Sequence, residues 1–186
     1  LAAHQPGVIV NAAAYTAVDR AEEEPEKARA LNHALPAQLG HWARANGAYL
    51  VHFSTDYVYA GEGEQALTED TPTTPLSVYG QTKLAGDEAV LETGPQAVIM
   101  RTAWVYSARG RNFMKTMLRL AAERERLDVV SDQWGAPTPA WLIAQVAMLA
   151  VREHLQERPL PGGVYHLTCR GETNWCGFAR TIIDQA

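Results

Sequence analysis

Three short apolar runs that end in small or polar residues constrain this chain more than any other feature. Val8-Ile9-Val10 leads into Asn11-Ala12-Ala13-Ala14, Tyr49-Leu50-Val51-His52-Phe53 delivers Ser54-Thr55-Asp56, and Ala97-Val98-Ile99-Met100 delivers Arg101-Thr102-Ala103-Trp104. Runs of this length without polar alternation suit strands buried on both faces, as in a parallel sheet. Between the first two, Ala28, Leu31, Leu35, Leu39 and Trp42 recur at spacings of three and four, and Asn46-Gly47 supplies a stop. An amphipathic helix over Pro25 to Asn46 follows. Strand, helix, strand, helix, strand requires crossover connections, so the expected fold is α/β, a doubly wound parallel sheet covered on both faces. Ligands of such sheets bind outside the carboxyl ends of the strands. Asn11 to Thr16, Ser54 to Asp56 and Thr102 to Trp104 all fall there.

Chemistry enters with Val78-Tyr79-Gly80-Gln81-Thr82-Lys83, which begins 24 positions after Ser54 of Ser54-Thr55-Asp56. With Ser77 as cap, a helix through Leu84-Ala85-Gly86 puts Tyr79 and Lys83 one turn apart on a single face. An ammonium beside a phenol is expected to pull the phenol down from its usual value of about 10, toward the range of a general acid. On its own this spacing is also common on solvated helices. Its place after a strand that delivers Thr55 is what marks it as a candidate site.

Other classes fall away on composition. The chain has 186 residues, 47% of them apolar, enough for one sizeable core, and its mean hydropathy is -0.21. A net charge of -5 and scattered Lys and Arg argue against nucleic acid as partner. No apolar run reaches the about 18 residues of a membrane span, and Leu1 to Gly7 has no signal-peptide pattern, so the cytoplasm is the expected compartment. Cys169 and Cys176 match no short zinc spacing, and the six histidines form no metal spacing with carboxylates. No metal site is expected.

Farther along, Asn112 to Glu125 reads as a helix, Leu127-Asp128-Val129-Val130 as a short strand, and Pro139 to Leu155 as a helix capped by Thr138. Gly162 to Leu167 reads as a turn and strand, Asn174 to Ala186 as a helix, and the polar stretch Ala60 to Pro75 as a loop long enough to cover an active site. A single domain is expected over 1–186, with the sheet core and catalytic residues in about 1–130 and part of a small substrate-binding lobe in about 131–186.

The blocks Asn11 to Asp19, Ser54 to Tyr59, Pro75 to Gly86, Arg101 to Tyr106, Asn112 to Met117 and Asp132 to Thr138, in this order over almost the whole chain, resemble the extended short-chain dehydrogenase/reductases. The nearest likeness is to members that reduce the 4-keto group of dTDP-4-dehydro-L-rhamnose to give dTDP-L-rhamnose with NADPH or NADH. The resemblance also implies a first strand and glycine-rich turn for the cofactor pyrophosphate, yet no Gly-x-Gly-x-x-Gly or Gly-x-x-Gly-x-x-Gly occurs here. The chain therefore resembles the middle of a reductase, a truncated Rossmann-like domain with about fifty or sixty residues expected before Leu1 and more after Ala186.

Residue by residue, the resemblance implies that Tyr79 is the proton donor, that Lys83 holds the nicotinamide ribose, and that Thr55 orients the substrate carbonyl. Ala13, Ala14, Tyr15 and Thr16 would pass beneath the cofactor, with Phe53, Tyr79 and Lys83 also in contact. Thr55, Asp56, Tyr57 and Trp104 would meet the dTDP-linked 4-keto-6-deoxy sugar, although Trp104 reads equally well as a packed aromatic. Arg101, Gln133 and Gly135-Ala136-Pro137-Thr138 are candidates for shaping the nucleotide-sugar site. Asn32, a poor helix former in mid-helix, is a candidate support for Lys83 through backbone and water. Some relatives pair through an acid-bound divalent ion, with an acid after the Gly-Ala-Pro-Thr turn. Ala140-Trp141 stands at that place here, so a shared metal is not expected, and whether the chain forms a homodimer is left open.

A noncatalytic binding or regulatory protein on the same fold, and a nucleotide-sugar epimerase or dehydratase, are the competing readings. Without the phosphate-cradling amides of a glycine-rich turn, the chain is expected to bind NADPH weakly or not at all. A fluorescence titration with NADPH checks this, and a low micromolar affinity would contradict it.

Overall fold

The computed structural model describes residues 1–63, 65–94 and 96–186. Its centre is a four-stranded sheet of β1 (Val8–Asn11), β2 (Tyr49–Thr55), β3 (Ala97–Thr102) and β7 (Gly163–His166), hydrogen-bonded in the order β1-β2-β3-β7. β1 runs parallel to β2 with Val8 opposite Tyr49, and β3 parallel to β7 with Val98 opposite Gly163. The three apolar runs are thus the strands they were expected to be. Leu50, Val51, Val98 and Ile99 are fully buried, each contributing about 1.5–3 kcal/mol by removal from water.

Helices α1 (Val18–Glu23) and α2 (Pro25–Arg29) are followed by α3 (Leu35–Asn46) and α4 (Val78–Leu91). The expected single helix from Pro25 to Asn46 is instead α2 and α3 joined by a π-helical segment, Ala30–Ala34. The apolar spacing survives this, because Leu39, Trp42 and Ala43 still pack on Ile9, Leu50 and Ile99. Gly47 ends α3 in the left-handed conformation at φ 67°, which glycine adopts at little cost. α4 starts where Ser77 caps it, the Ser77 Oγ accepting from the Gly80 N–H at 3.1 Å.

The chain folds into two compact units that interleave along the sequence. The first holds Leu1–Arg101 and Ala147–His166 and contains the whole sheet up to Arg101; the second holds Thr102–Val146 and Leu167–Ala186. Interleaving follows from β7, which brings the chain back to the sheet after the second unit has begun. In the second unit, α5 (Phe113–Glu123) and α7 (Trp175–Asp184) bury Met117, Phe178, Ala179 and Ile182. Two short pairs accompany them: β4 (Val105–Tyr106) with β6 (Thr138–Pro139), parallel, and β5 (Trp134–Gly135) with β8 (Thr173–Asn174), antiparallel.

Two expected elements take another form. Leu127 to Val130 is not a strand; Leu127 and Val129 pack into the aromatic core of the second unit without ladder partners. Thr138 does not cap α6 (Ala140–Leu155) but lies fully buried in β6, its hydroxyl donating to the Ala136 carbonyl at 2.9 Å. None of the described helices is long and apolar enough to cross a membrane.

α4 lies against the π-helical segment so closely that a methyl group on Gly86 would overlap the Asn32 carbonyl oxygen. Backbone on both sides leaves little room to relax. Gly86→Ala is expected to destabilise the fold by about 1–3 kcal/mol, seen as a lower denaturation midpoint in urea at an unchanged slope.

Candidate active site

β2 and α4 supply the central side chains, all in the first unit. Thr55, Tyr79 and Lys83 are buried, at 6%, 9% and 2% exposure. Lys83 folds back over β2 and donates from Nζ to the Phe53 carbonyl at 2.6 Å. That bond uses one of its three N–H donors, and no second hydrogen bond from Nζ occurs among the described residues. Thr55 closes a 3-10 turn over Asp56–Val58, its Oγ accepting from the Tyr57 N–H at 3.3 Å and donating to the Asp56 carboxylate at 3.1 Å. The Tyr57 ring meets the Tyr79 ring edge-on, with centroids 5.5 Å apart.

The electrostatics of the phenol run opposite to the expectation from spacing. Burial pushes Tyr79 up to about 12; a hydrogen bond with the Thr55 hydroxyl acts the other way, while Asp56, Tyr57 and Asp87 reinforce the rise. Desolvation of phenolate outweighs whatever the ammonium one turn away contributes. Burial likewise brings Lys83 down to about 8, with Asp87 opposing. Asp56 is raised, again chiefly by burial.

The loop after β1 is joined to α4 through Asn32. Its side-chain oxygen accepts from the Tyr15 N–H at 2.8 Å, and its amide nitrogen donates to the Tyr15 carbonyl at 3.1 Å and to the Thr82 hydroxyl at 3.2 Å. The Thr82 hydroxyl in turn donates to the Tyr79 carbonyl at 3.0 Å. Asn32 is fully buried, and these bonds offset its poor helix propensity. It therefore clamps the Tyr15 backbone and ties it to α4. Ala13 and Thr16 are exposed and Ala14 partly so. Ala14, Tyr15 and Thr16 line a hollow of about 460 Å³ together with Arg20, Glu24 and Lys27.

Other candidates lie elsewhere. Trp104 belongs to the second unit, at φ 47°, stacked on Trp175 with centroids 3.6 Å apart and packed over Gly135. Gln133 is exposed. Arg101 is a core residue: its Nε donates to Asp87 at 3.1 Å and its Nη1 to the Tyr59 hydroxyl at 2.8 Å. Asp87, which the sequence reading missed, forms a buried polar cluster with His52, Asn11, Ser54 and Arg101. Asp87 had a signal, since it stands four residues beyond Lys83 and eight beyond Tyr79, on the same helical stripe. Among the described residues no group of three or more His, Cys, Asp and Glu is arranged to hold a metal ion.

The lowered Lys83 sets a pH signature. The unfolded chain holds a proton on this lysine up to about 10.5 and the folded chain only to about 8. Folding stability is therefore expected to rise with pH across that window, by about 2 kcal/mol between pH 8 and 10. Denaturation of the wild type and Lys83→Met at a series of pH values checks this; the variant should lack the rise.

A family model described as RmlD substrate binding domain matches residues 1–186. The dTDP-4-dehydrorhamnose reductases of Salmonella typhimurium and Escherichia coli are 49% and 47% identical over 182 residues, 98% of this chain and 60% of theirs. The chain thus spans 60% of the length of these curated relatives. Among solved structures, the dTDP-4-dehydrorhamnose reductase from Clostridium acetobutylicum superimposes with a TM-score of 0.91 at 39% identity, covering 98% of this chain and 63% of that one. The Bacillus anthracis reductase in complex with NADP does so at 0.89 and 35%, covering 97% and 62%. With a match that runs from its first residue to its last, this chain belongs to the RmlD substrate binding domain family.

Proposed function

We propose that this chain carries the proton-donating half of an NAD(P)H-dependent reductase that converts dTDP-4-dehydro-L-rhamnose to dTDP-L-rhamnose. The observation that supports it best is the convergence of the Tyr79 phenol, the Thr55 hydroxyl and the Lys83 ammonium on the carboxyl end of β2. When bound, the nicotinamide supplies hydride to the ketone carbon. Tyr79, held protonated at neutral pH by its burial, donates its proton to the oxygen. A secondary alkoxide is a stronger base than a phenolate, so this transfer runs downhill even from a phenol at about 12. Thr55 orients that oxygen by turning its hydroxyl proton from the Asp56 carboxylate, its acceptor in the structure, to the substrate.

The residues present fit the cofactor. Lys83 keeps N–H donors beyond the one spent on Phe53, suited to ribose hydroxyls. Ala13 and Ala14 offer a floor of small side chains beside Tyr15 and Thr16 at the end of β1. Tyr57, 45% exposed beside Tyr79, is placed to meet the deoxysugar.

Because the relatives are longer, the test is a chimera in which these residues replace the matching segment of the Salmonella typhimurium reductase. Stoichiometric NADPH oxidation with dTDP-4-dehydrorhamnose is expected, falling about 10²–10⁴-fold in Tyr79→Phe. A folded chimera that binds NADPH without consuming it would favour a noncatalytic protein.

A further inference from the structure

Behind the proposed proton donor lies a buried carboxylate that the reaction as described does not use. Asp87 is fully buried on α4, one turn beyond Lys83 and two beyond Tyr79. Its Oδ2 is saturated, accepting from the Ser54 hydroxyl at 2.8 Å and from Arg101 Nε at 3.1 Å. Its Oδ1 has no hydrogen-bond partner among the described residues, and neither has His52 Nε2, 3.8 Å away.

Arg101 pairs with this carboxylate directly, and Lys83, buried one turn before it on α4, is a second cation with no carboxylate of its own within salt-bridge distance among the described residues. His52 contributes no charge: Ala13 N–H donates to Asn11 Oδ1 at 3.2 Å, which leaves Asn11 Nδ2 to donate to His52 Nδ1 at 3.0 Å. Burial and then Lys83 hold that imidazole down at about 3. From β3 comes Arg101, backed by the Tyr59 hydroxyl, which bonds the His166 Nε2 of β7 at 2.7 Å; the His166 backbone N–H donates to Glu69. Two buried cations, Arg101 and Lys83, therefore share one buried carboxylate. An ammonium out of water is costly unless it is paired.

We propose that Asp87 is a positioning residue for the reaction: its carboxylate is the counter-charge that keeps Lys83 an ammonium, fixed on the Phe53 carbonyl beside Tyr79. Ser54 and Arg101 occupy Oδ2 and hold the carboxylate in place. A purely structural Asp87 would serve Arg101 alone and leave Lys83 indifferent to its loss. The inference rests on the reading of Lys83 as the cofactor-holding cation, but its test does not require turnover.

The chain has three lysines, Lys27, Lys83 and Lys115, so side-chain ¹³C labelling of lysine gives a spectrum in which Lys83 titrates apart from the two exposed ones. Replacing Asp87 by Asn should move the Lys83 midpoint down by about one unit or more, and Asp87→Glu should restore most of it. An unmoved midpoint in folded Asp87→Asn overturns the proposal. Should that variant not fold, Lys83→Met with carboxyl-labelled aspartate provides the reciprocal reading. The Asp87 midpoint must then rise, and an unchanged one overturns the proposal equally. A shifted Lys83 with an inactive chimera would count against the reductase reading alone.

Discussion

The first unit is organised around a lysine that has been taken out of water. Exposed, an ammonium needs nothing from its neighbours; enclosed, it needs a carbonyl, a counter-charge and a packed surround. The Phe53 carbonyl meets the first need, and Asp87 is in place for the second. The third is met by α4 itself, which carries Tyr79, Gly80, Thr82, Lys83, Gly86 and Asp87 on buried positions. A helix with so polar a buried face is held by its partners more than by hydrophobic contact, which is why backbone at Gly86 and Asn32 approaches so closely.

The sheet and most helices were legible in the sequence because their signals are local. Apolar runs of Val8 to Val10, Tyr49 to Phe53 and Ala97 to Met100 admit few alternatives to buried strands, and Ser77 marks the start of α4 by its own capping chemistry. Leu127 to Val130 shows the limit of this reasoning. Its alternation is satisfied by packing Leu127 and Val129 against the cluster of Met117, Phe178, Ala179 and Ile182, and the Val130 carbonyl is taken by the Cys176 N–H of α7 rather than by a strand.

Within the site, residue types and spacing pointed to Tyr79, Lys83 and Thr55, whereas their electrostatics could not be read from spacing. A Tyr and Lys one turn apart suggest an acidified phenol only if solvent surrounds both; once both are enclosed, desolvation dominates and the phenol rises. The cluster of Asn11, His52, Ser54, Asp87 and Arg101 draws on three strands and a helix. Such long-range pairing leaves no trace in a local pattern beyond the helical stripe that Asp87 shares with Lys83.

The π-helical turn at Ala30–Ala34 has a consequence for how this part of the chain tolerates insertion and deletion. A π turn holds one residue more than the α-helical turn it interrupts, and that surplus sets the angle at which Asn32 faces Tyr15 and Thr82. Trimming a single residue would let the helix run on unbroken, yet it would swing the amide by about 100° around the axis and separate the loop after β1 from α4. Length, as much as composition, is thus under constraint in this segment.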